Sequence, residues 1–223
     1  MGSSTVDAVL FDSGGVLIGP VGGRWNPRVD FEEVMGRHVG DVPSDLLSAA
    51  IAAGDAFLVA AEGTPTREDY HRVLLDVLDV EASPELLSEL DSPVDAAKVV
   101  APYPEVIGVL DQLRALGVRL AVVSDAWPTL PELHAGVGLA GYFEAYAISA
   151  VLGCTKPDPR MYRHASDALG LEPRRCLFVD DSPPLVEAAL ALGYQGCAVL
   201  RDGTRHDRIP SIHDLSQLLE LIG

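Results

Sequence analysis

The chain has 223 residues, 48% of them apolar, and carries 16 Lys and Arg against 33 Asp and Glu, a formal net charge of −17. That length and apolar content suffice for one large domain, or a core with a small second module, and exclude global disorder. The acidity argues against a nucleic-acid partner and against an acidic membrane, and any phosphate site must bring local positive charge or a metal. No apolar run approaches the length of a membrane span. Met1–Val6 lacks the basic and apolar regions of a signal peptide and the myristoylation pattern. Three cysteines without a CxxC pair suit a reducing, cytoplasmic compartment. Cys176 and Cys197 lie in apolar runs and are expected in the core, Cys154 nearer the surface.

In chain order, the apolar run Val6 to Phe11 ends on Asp12 and breaks at once into Ser13-Gly14-Gly15. This is the pattern of a buried strand entering a tight turn, and it places Asp12 at the C-terminal edge of a sheet. Gly19 to Asn26 reads as a linker. Helices are expected over Asp30–His38 and Pro43–Ala61, then after the N-cap Thr66 with Tyr70, Val73, Leu74, Val77 and Leu78 at helical spacing, and after the N-cap Ser83 with Pro84 at the first helical position. No strand is expected between Pro20 and Val99, so residues 20–99 read as a helical insertion. From Tyr103 the pattern alternates. Helices over Pro104–Leu116, Leu130–Leu139, Asp158–Leu169, Pro184–Leu192 and His213–Ile222 are interleaved with strands over Val118–Ser124, Phe143–Ser149, Arg175–Val179 and Gly196–Leu200. The expected fold class is α/β, a parallel sheet covered on both faces.

Four polar sites stand just after expected strands: Asp12, Ser124, Lys156 and the pair Asp180-Asp181. In a parallel sheet they share one edge and can converge on one crevice. The residue types suit phosphoryl transfer. A carboxylate can attack phosphorus, facing carboxylates can share a hard cation such as Mg²⁺, a hydroxyl with backbone N–H groups can hold phosphoryl oxygens, and a lysine can neutralise charge.

These stretches resemble the haloacid dehalogenase-like hydrolase superfamily. Phe11-Asp12-Ser13-Gly14-Gly15-Val16, Val122-Val123-Ser124-Asp125, Gly153-Cys154-Thr155-Lys156-Pro157-Asp158-Pro159 and Phe178-Val179-Asp180-Asp181-Ser182 match its four motifs in order. The resemblance implies a Rossmann-like core over 1–19 and 100–223 with a small helical cap over 20–99, inserted between motifs one and two. It implies Asp12 as nucleophile, Ser124 with the following backbone N–H, and the neighbouring Asp125, at the substrate phosphate, and Lys156 as the residue that orients Asp12 and screens its charge. Mg²⁺ would be held by Asp12, the Gly14 carbonyl and Asp181, with Asp180 as ligand or close partner. The implied activity is hydrolysis of a small phosphorylated metabolite through an aspartyl-phosphate.

One position departs from the pattern. Most phosphatases of the superfamily carry a second Asp, the general acid–base, where this chain has Gly14. A good leaving group, a substitute such as Asp125 or a cap residue, or a non-catalytic phospho-ligand-binding role would each accommodate that. A 2-haloacid dehalogenase is the weaker alternative, because such enzymes work without a metal and Asp180-Asp181 suits one. Arg67, His71 and Arg72 read as a solvated helix face, and His134 as structural or surface. Asp202, Asp207 and Asp214 are expected to face solvent. Nothing in the residues assigns a substrate identity or an oligomeric state.

Overall fold

The computed structural model describes residues 6–222. Met1–Thr5, part of the stretch read above for leader signals, and Gly223 lie outside the described residues. The strands are β1 (Ala8–Phe11), β2 (Ile18–Pro20), β3 (Val100–Pro102), β4 (Arg119–Ser124), β5 (Ala145–Ile148), β6 (Cys176–Asp180), β7 (Gln195–Val199) and β8 (Ser211–Ile212). Six of them form one sheet in the order β5-β4-β1-β6-β7-β8, with every neighbouring pair parallel. β2 and β3 pair with each other. The described chain divides into two compact units, residues 6–19 with 102–222, and Pro20–Ala101.

In the first unit every residue of β1 and β6 is buried, and all are apolar except Asp180 at the end of β6, as internal parallel strands between two helical layers require. Phe11 lies in register with Val122 of β4 and with Val179 of β6. The helix Pro159–Ala168 sets Met161, Tyr162 and Ala165 into the same core cluster as Leu10, Val123 and Phe178. From β1 the strand order runs outward in both directions, so β1 sits at the reversal where an open α/β sheet forms its crevice.

The sheet has one strand more than the sequence pattern suggests, β8, just ahead of the expected C-terminal helix His213–Ile222, which itself breaks up. Leu200 N–H donates to the Ile212 carbonyl and draws β8 into the ladder. Asp214 accepts the Ser216 N–H at 2.8 Å and Gln217 the His213 N–H at 2.7 Å, which leaves a 3₁₀ turn, Leu215–Gln217, and a helix only over Leu218–Ile222. Cys154 is buried with Cys176 and Cys197, against the expectation of a more superficial position; it packs in the cluster of Ala147 and Met161.

The second unit is helical, with Phe31–His38, Ser44–Ala60, Arg67–Val77, Pro84–Leu90 and Ala96–Val99. Both expected N-caps are present. Thr66 and Asp69 form a reciprocal capping box, and Ser83 accepts the Leu86 N–H at 3.2 Å. Arg28 donates to the carbonyls of Glu89 and Leu90 at 2.8 and 2.7 Å and so caps the end of helix 84–90. Gly54 lets the long helix press on its neighbour, since a Cβ there would run into Leu74 and Tyr70. His71 is a correction. It is buried with Tyr70, Leu74 and Leu75 on the inner face of its helix, and burial pushes its pKa down to about 4. Arg72 does face solvent, paired with Glu68 at 2.6 Å. No helix among the described residues is long and apolar enough to cross a membrane.

Candidate active site

Each central strand of the first unit ends on a polar group. Asp12 follows β1, anchored by its N–H to the Val179 carbonyl at 2.8 Å. Ser124 closes β4, buried, and Asp180 closes β6 with the exposed Asp181 next to it. Lys156 comes from the loop before helix Pro159–Ala168. Its ammonium donates to Asp12 Oδ1 and to Asp180 Oδ2, each at 2.7 Å, with all three side chains buried. Asp12, Asp180 and Asp181 offer carboxylate oxygens that lie within 4.8 Å of one another. Asp125 fixes the Lys156 loop, its Oδ1 accepting the Lys156 N–H at 2.9 Å.

The turn after Asp12 is tightly bonded. The N–H groups of Leu17 and Ile18 both donate to the Ser13 carbonyl, at 2.9 and 3.1 Å, and the Gly15 N–H donates to the Ile18 carbonyl at 3.0 Å. Gly15 has φ +77°, and a Cβ on it would overlap the Asp181 carboxylate. Glycine is needed there for its conformation and for the close approach alike.

The electrostatics follow from the count of charges. Three acids share one ammonium. Burial holds the carboxyls of Asp12 and Asp180 above the ordinary range, against the pull of Lys156. Burial opposes the charge of Lys156 as well, but Asp12 and Asp180 outweigh it and keep the ammonium protonated. Asp180 uses both oxygens within the protein, Oδ2 for Lys156 and Oδ1 for the Ser182 N–H at 2.8 Å.

Two residues were not legible as part of this site. His134, fully buried, bonds Ser13 Oγ through Nε2 at 2.8 Å, and its Nδ1 lies 3.2 Å from the Tyr146 hydroxyl. Burial takes its pKa down to about 4, so the ring is neutral. Arg201 donates to the carbonyls of Gly15 and Val16. Neither belongs to a motif, and only the fold brings them beside the turn. The cysteines take no part in this chemistry: burial raises Cys176 to about 11 and Cys197 to about 12, far from a reactive thiolate. Asp202 and Asp207 face solvent, as expected.

A sequence model described as haloacid dehalogenase-like hydrolase matches residues 6–193. The chain belongs to the haloacid dehalogenase-like hydrolase family. It is 34% identical to haloacetate dehalogenase H-2 of Moraxella sp. over 116 residues, and that match spans about half of each chain, 52% of both. It is 31% identical to the phosphoglycolate phosphatase of Neisseria gonorrhoeae over 222 residues, 92% of this chain and 89% of the relative. In fold it is similar to a HAD phosphatase from Thermococcus onnurineus, with a TM-score of 0.69, 22% identity and 98% of each chain covered. Family and fold agree with the Rossmann-like α/β core expected from the motifs.

Proposed function

We propose that the protein is a Mg²⁺-dependent phosphatase that hydrolyses a small phosphorylated metabolite through an aspartyl-phosphate on Asp12. The observation that carries this is the buried Asp12–Lys156–Asp180 cluster at the C-terminal edge of β1 and β6. The full-length similarity to a phosphoglycolate phosphatase supports the same chemistry.

The donor set fits a hard divalent cation. It offers only oxygen, from three closely spaced carboxylates whose charge one lysine leaves uncompensated. Asp12, Asp181 and the Gly14 carbonyl would hold Mg²⁺. Asp180, with both oxygens engaged, would serve by holding Lys156 and the Ser182 loop. The ion would supply charge neutralisation for the incoming phosphate. Asp12 attacks phosphorus, forming the Asp12 O–P bond as the ester O–P bond breaks, and the leaving oxygen departs with the electron pair and takes a proton from solvent water. Water then attacks the aspartyl-phosphate, the Asp12 O–P bond breaks, and inorganic phosphate leaves. Ser124 and the backbone N–H of Asp125 bind the phosphoryl oxygens, and Lys156 offsets their charge and aligns Asp12. Residues 20–99 form the helical cap that selects the substrate.

Gly14 narrows the substrate class. With no side-chain acid there, the favoured substrates carry a good leaving group, such as an acyl phosphate or a sugar 1-phosphate. Nitrophenyl phosphate should be hydrolysed with Mg²⁺ and not with EDTA, and Asp12→Asn should abolish turnover. No Mg²⁺-dependent turnover across a panel of phosphate esters, sugar 1-phosphates and acyl phosphates would overturn the proposal. Gly14 also supports a second reading, a protein that binds phosphorylated ligands without turning them over. Mg²⁺-dependent binding with no product would favour it. Chloride release from a 2-haloacid in EDTA would instead indicate a dehalogenase.

A further inference from the structure

The turn from Asp12 to Val16 is fastened at both ends by side chains from outside the four motifs. At its start, Ser13 is bonded to the buried His134. At its end lies Arg201, just after β7. Its Nε donates to the Gly15 carbonyl at 2.9 Å and its Nη2 to the Val16 carbonyl at 2.7 Å. The remaining nitrogen, Nη1, donates to Glu105 Oε1 at 2.8 Å, and the guanidinium carbon stands 3.5 Å above the centre of the Tyr103 ring. The guanidinium is thus fixed in plane and in position before it meets the turn. The Gly15 N–H is already committed to the Ile18 carbonyl, so Arg201 completes the restraint on both peptide planes of Gly15. One of those planes carries the Gly14 carbonyl. The Asp181 carboxylate also fills the space that a Cβ on Gly15 would take.

We propose that Arg201 is a positioning residue for the site. It holds the Gly14-Gly15-Val16 backbone so that the Gly14 carbonyl and Asp181 keep the spacing that a divalent cation needs. The proposal rests on the phosphatase reading for its metal, but the restraint on the turn can be measured without one. Lysine cannot replace the arginine, because an ammonium on a flexible stem lacks the planar fork that meets two adjacent carbonyls and a carboxylate together. Arginine is demanded by geometry, while Glu105 and Tyr103 aim it.

The test uses the full chain, wild type and the variants Arg201→Met, Arg201→Lys and Glu105→Gln. Amide hydrogen exchange is read in metal-free protein over residues 13–18, with helix Arg67–Val77 as an internal control. Mg²⁺ uptake by the resting protein is read by titration calorimetry. Arg201→Met and Arg201→Lys should both speed exchange at 13–18, leave the control helix unchanged, and weaken Mg²⁺ binding by about tenfold or more, the usual cost of losing a residue that orients metal ligands. Glu105→Gln, which keeps the arginine, should show a smaller change in the same direction. If Arg201→Met folds poorly, Arg201→Lys carries the test. Wild-type exchange and affinity in Arg201→Lys would overturn the proposal, as would faster exchange with unchanged affinity. A wild type that takes up no Mg²⁺ overturns the phosphatase reading instead, a result the variants cannot imitate.

Discussion

The carboxylate of Asp181 lies against the backbone of Gly15 so closely that a side chain at residue 15 would occupy the same space. Gly15 also adopts φ +77°, where a Cβ is strained. Gly15→Ala therefore meets two obstacles with different consequences. The strain should lower stability by about 1 kcal/mol. If Asp181 holds Mg²⁺ as proposed, its displacement should weaken Mg²⁺ binding and lower kcat/KM by roughly 100-fold, the scale of loss that a small misplacement at a reacting centre brings. Urea unfolding and steady-state kinetics separate the two. Loss of stability with full activity would show that Asp181 does not need its place against Gly15.

Lys156 is the only cation bonded to Asp12 and Asp180 among the described residues. Lys156→Met leaves two buried carboxyls without their counter-charge, and breaking a buried pair in this way costs about 3–5 kcal/mol. Burial already holds both carboxyls above their ordinary pKa, and loss of the ammonium raises them further. A folded pKa above the unfolded one gives stability that is present at low pH and lost as pH rises through the folded value. The deficit of Lys156→Met relative to wild type should therefore be greatest at pH 7 and shrink toward pH 4. Urea midpoints at both pH values test this, and a deficit that grows on acidification would contradict it.

Much of this site is legible in the sequence because strand ends announce themselves. Val9-Leu10-Phe11-Asp12 and Phe178-Val179-Asp180 are apolar runs that stop on a carboxylate, and a parallel sheet brings such ends to one edge. Thr66 and Ser83 are legible as caps because their chemistry is local. Arg201 and His134 are not legible, since each acts on a turn more than 100 positions away in the chain. β8 is two residues long and exists through its pairing with β7, which no local periodicity encodes. His71 is a different case. The spacing His71, Leu74, Leu75, Leu78 is that of a buried helical stripe, and only the polarity of the imidazole disguises it.

Gly14 has a backbone outside the positive-φ region, so a side chain can be introduced there without the strain expected at Gly15. On the phosphatase reading, Gly14→Asp would supply a carboxyl where the leaving group departs. General acid catalysis contributes roughly 10²–10⁴-fold, and only where the leaving group needs a proton. Hydrolysis of an alkyl phosphate should rise by about 100-fold in Gly14→Asp, while nitrophenyl phosphate, whose leaving group is already stable, changes little. An equal effect on both substrates would show that the gain does not come from leaving-group protonation. No gain on either would show that another acid already serves.

His71 and His134 give the protein a defined sensitivity to acid. Both are buried, and burial lowers each to about 4 from an ordinary value near 6.5. The unfolded chain therefore binds protons that the native state refuses. Their contribution to stability is intact above about pH 6.5 and is lost as pH falls toward 4, with a limiting slope of about 1.4 kcal/mol per pH unit for each histidine. The loss should be measurable as a steady fall in the urea midpoint between pH 7 and pH 4. His134→Gln keeps a neutral side chain that can bond Ser13 and removes one titrating group, so its profile should be shallower even if its stability at pH 7 is lower. His71→Gln should flatten the profile in the same way through the helical unit. A slope unchanged in both variants would mean that other groups carry the acid sensitivity and that neither imidazole is held neutral by its burial.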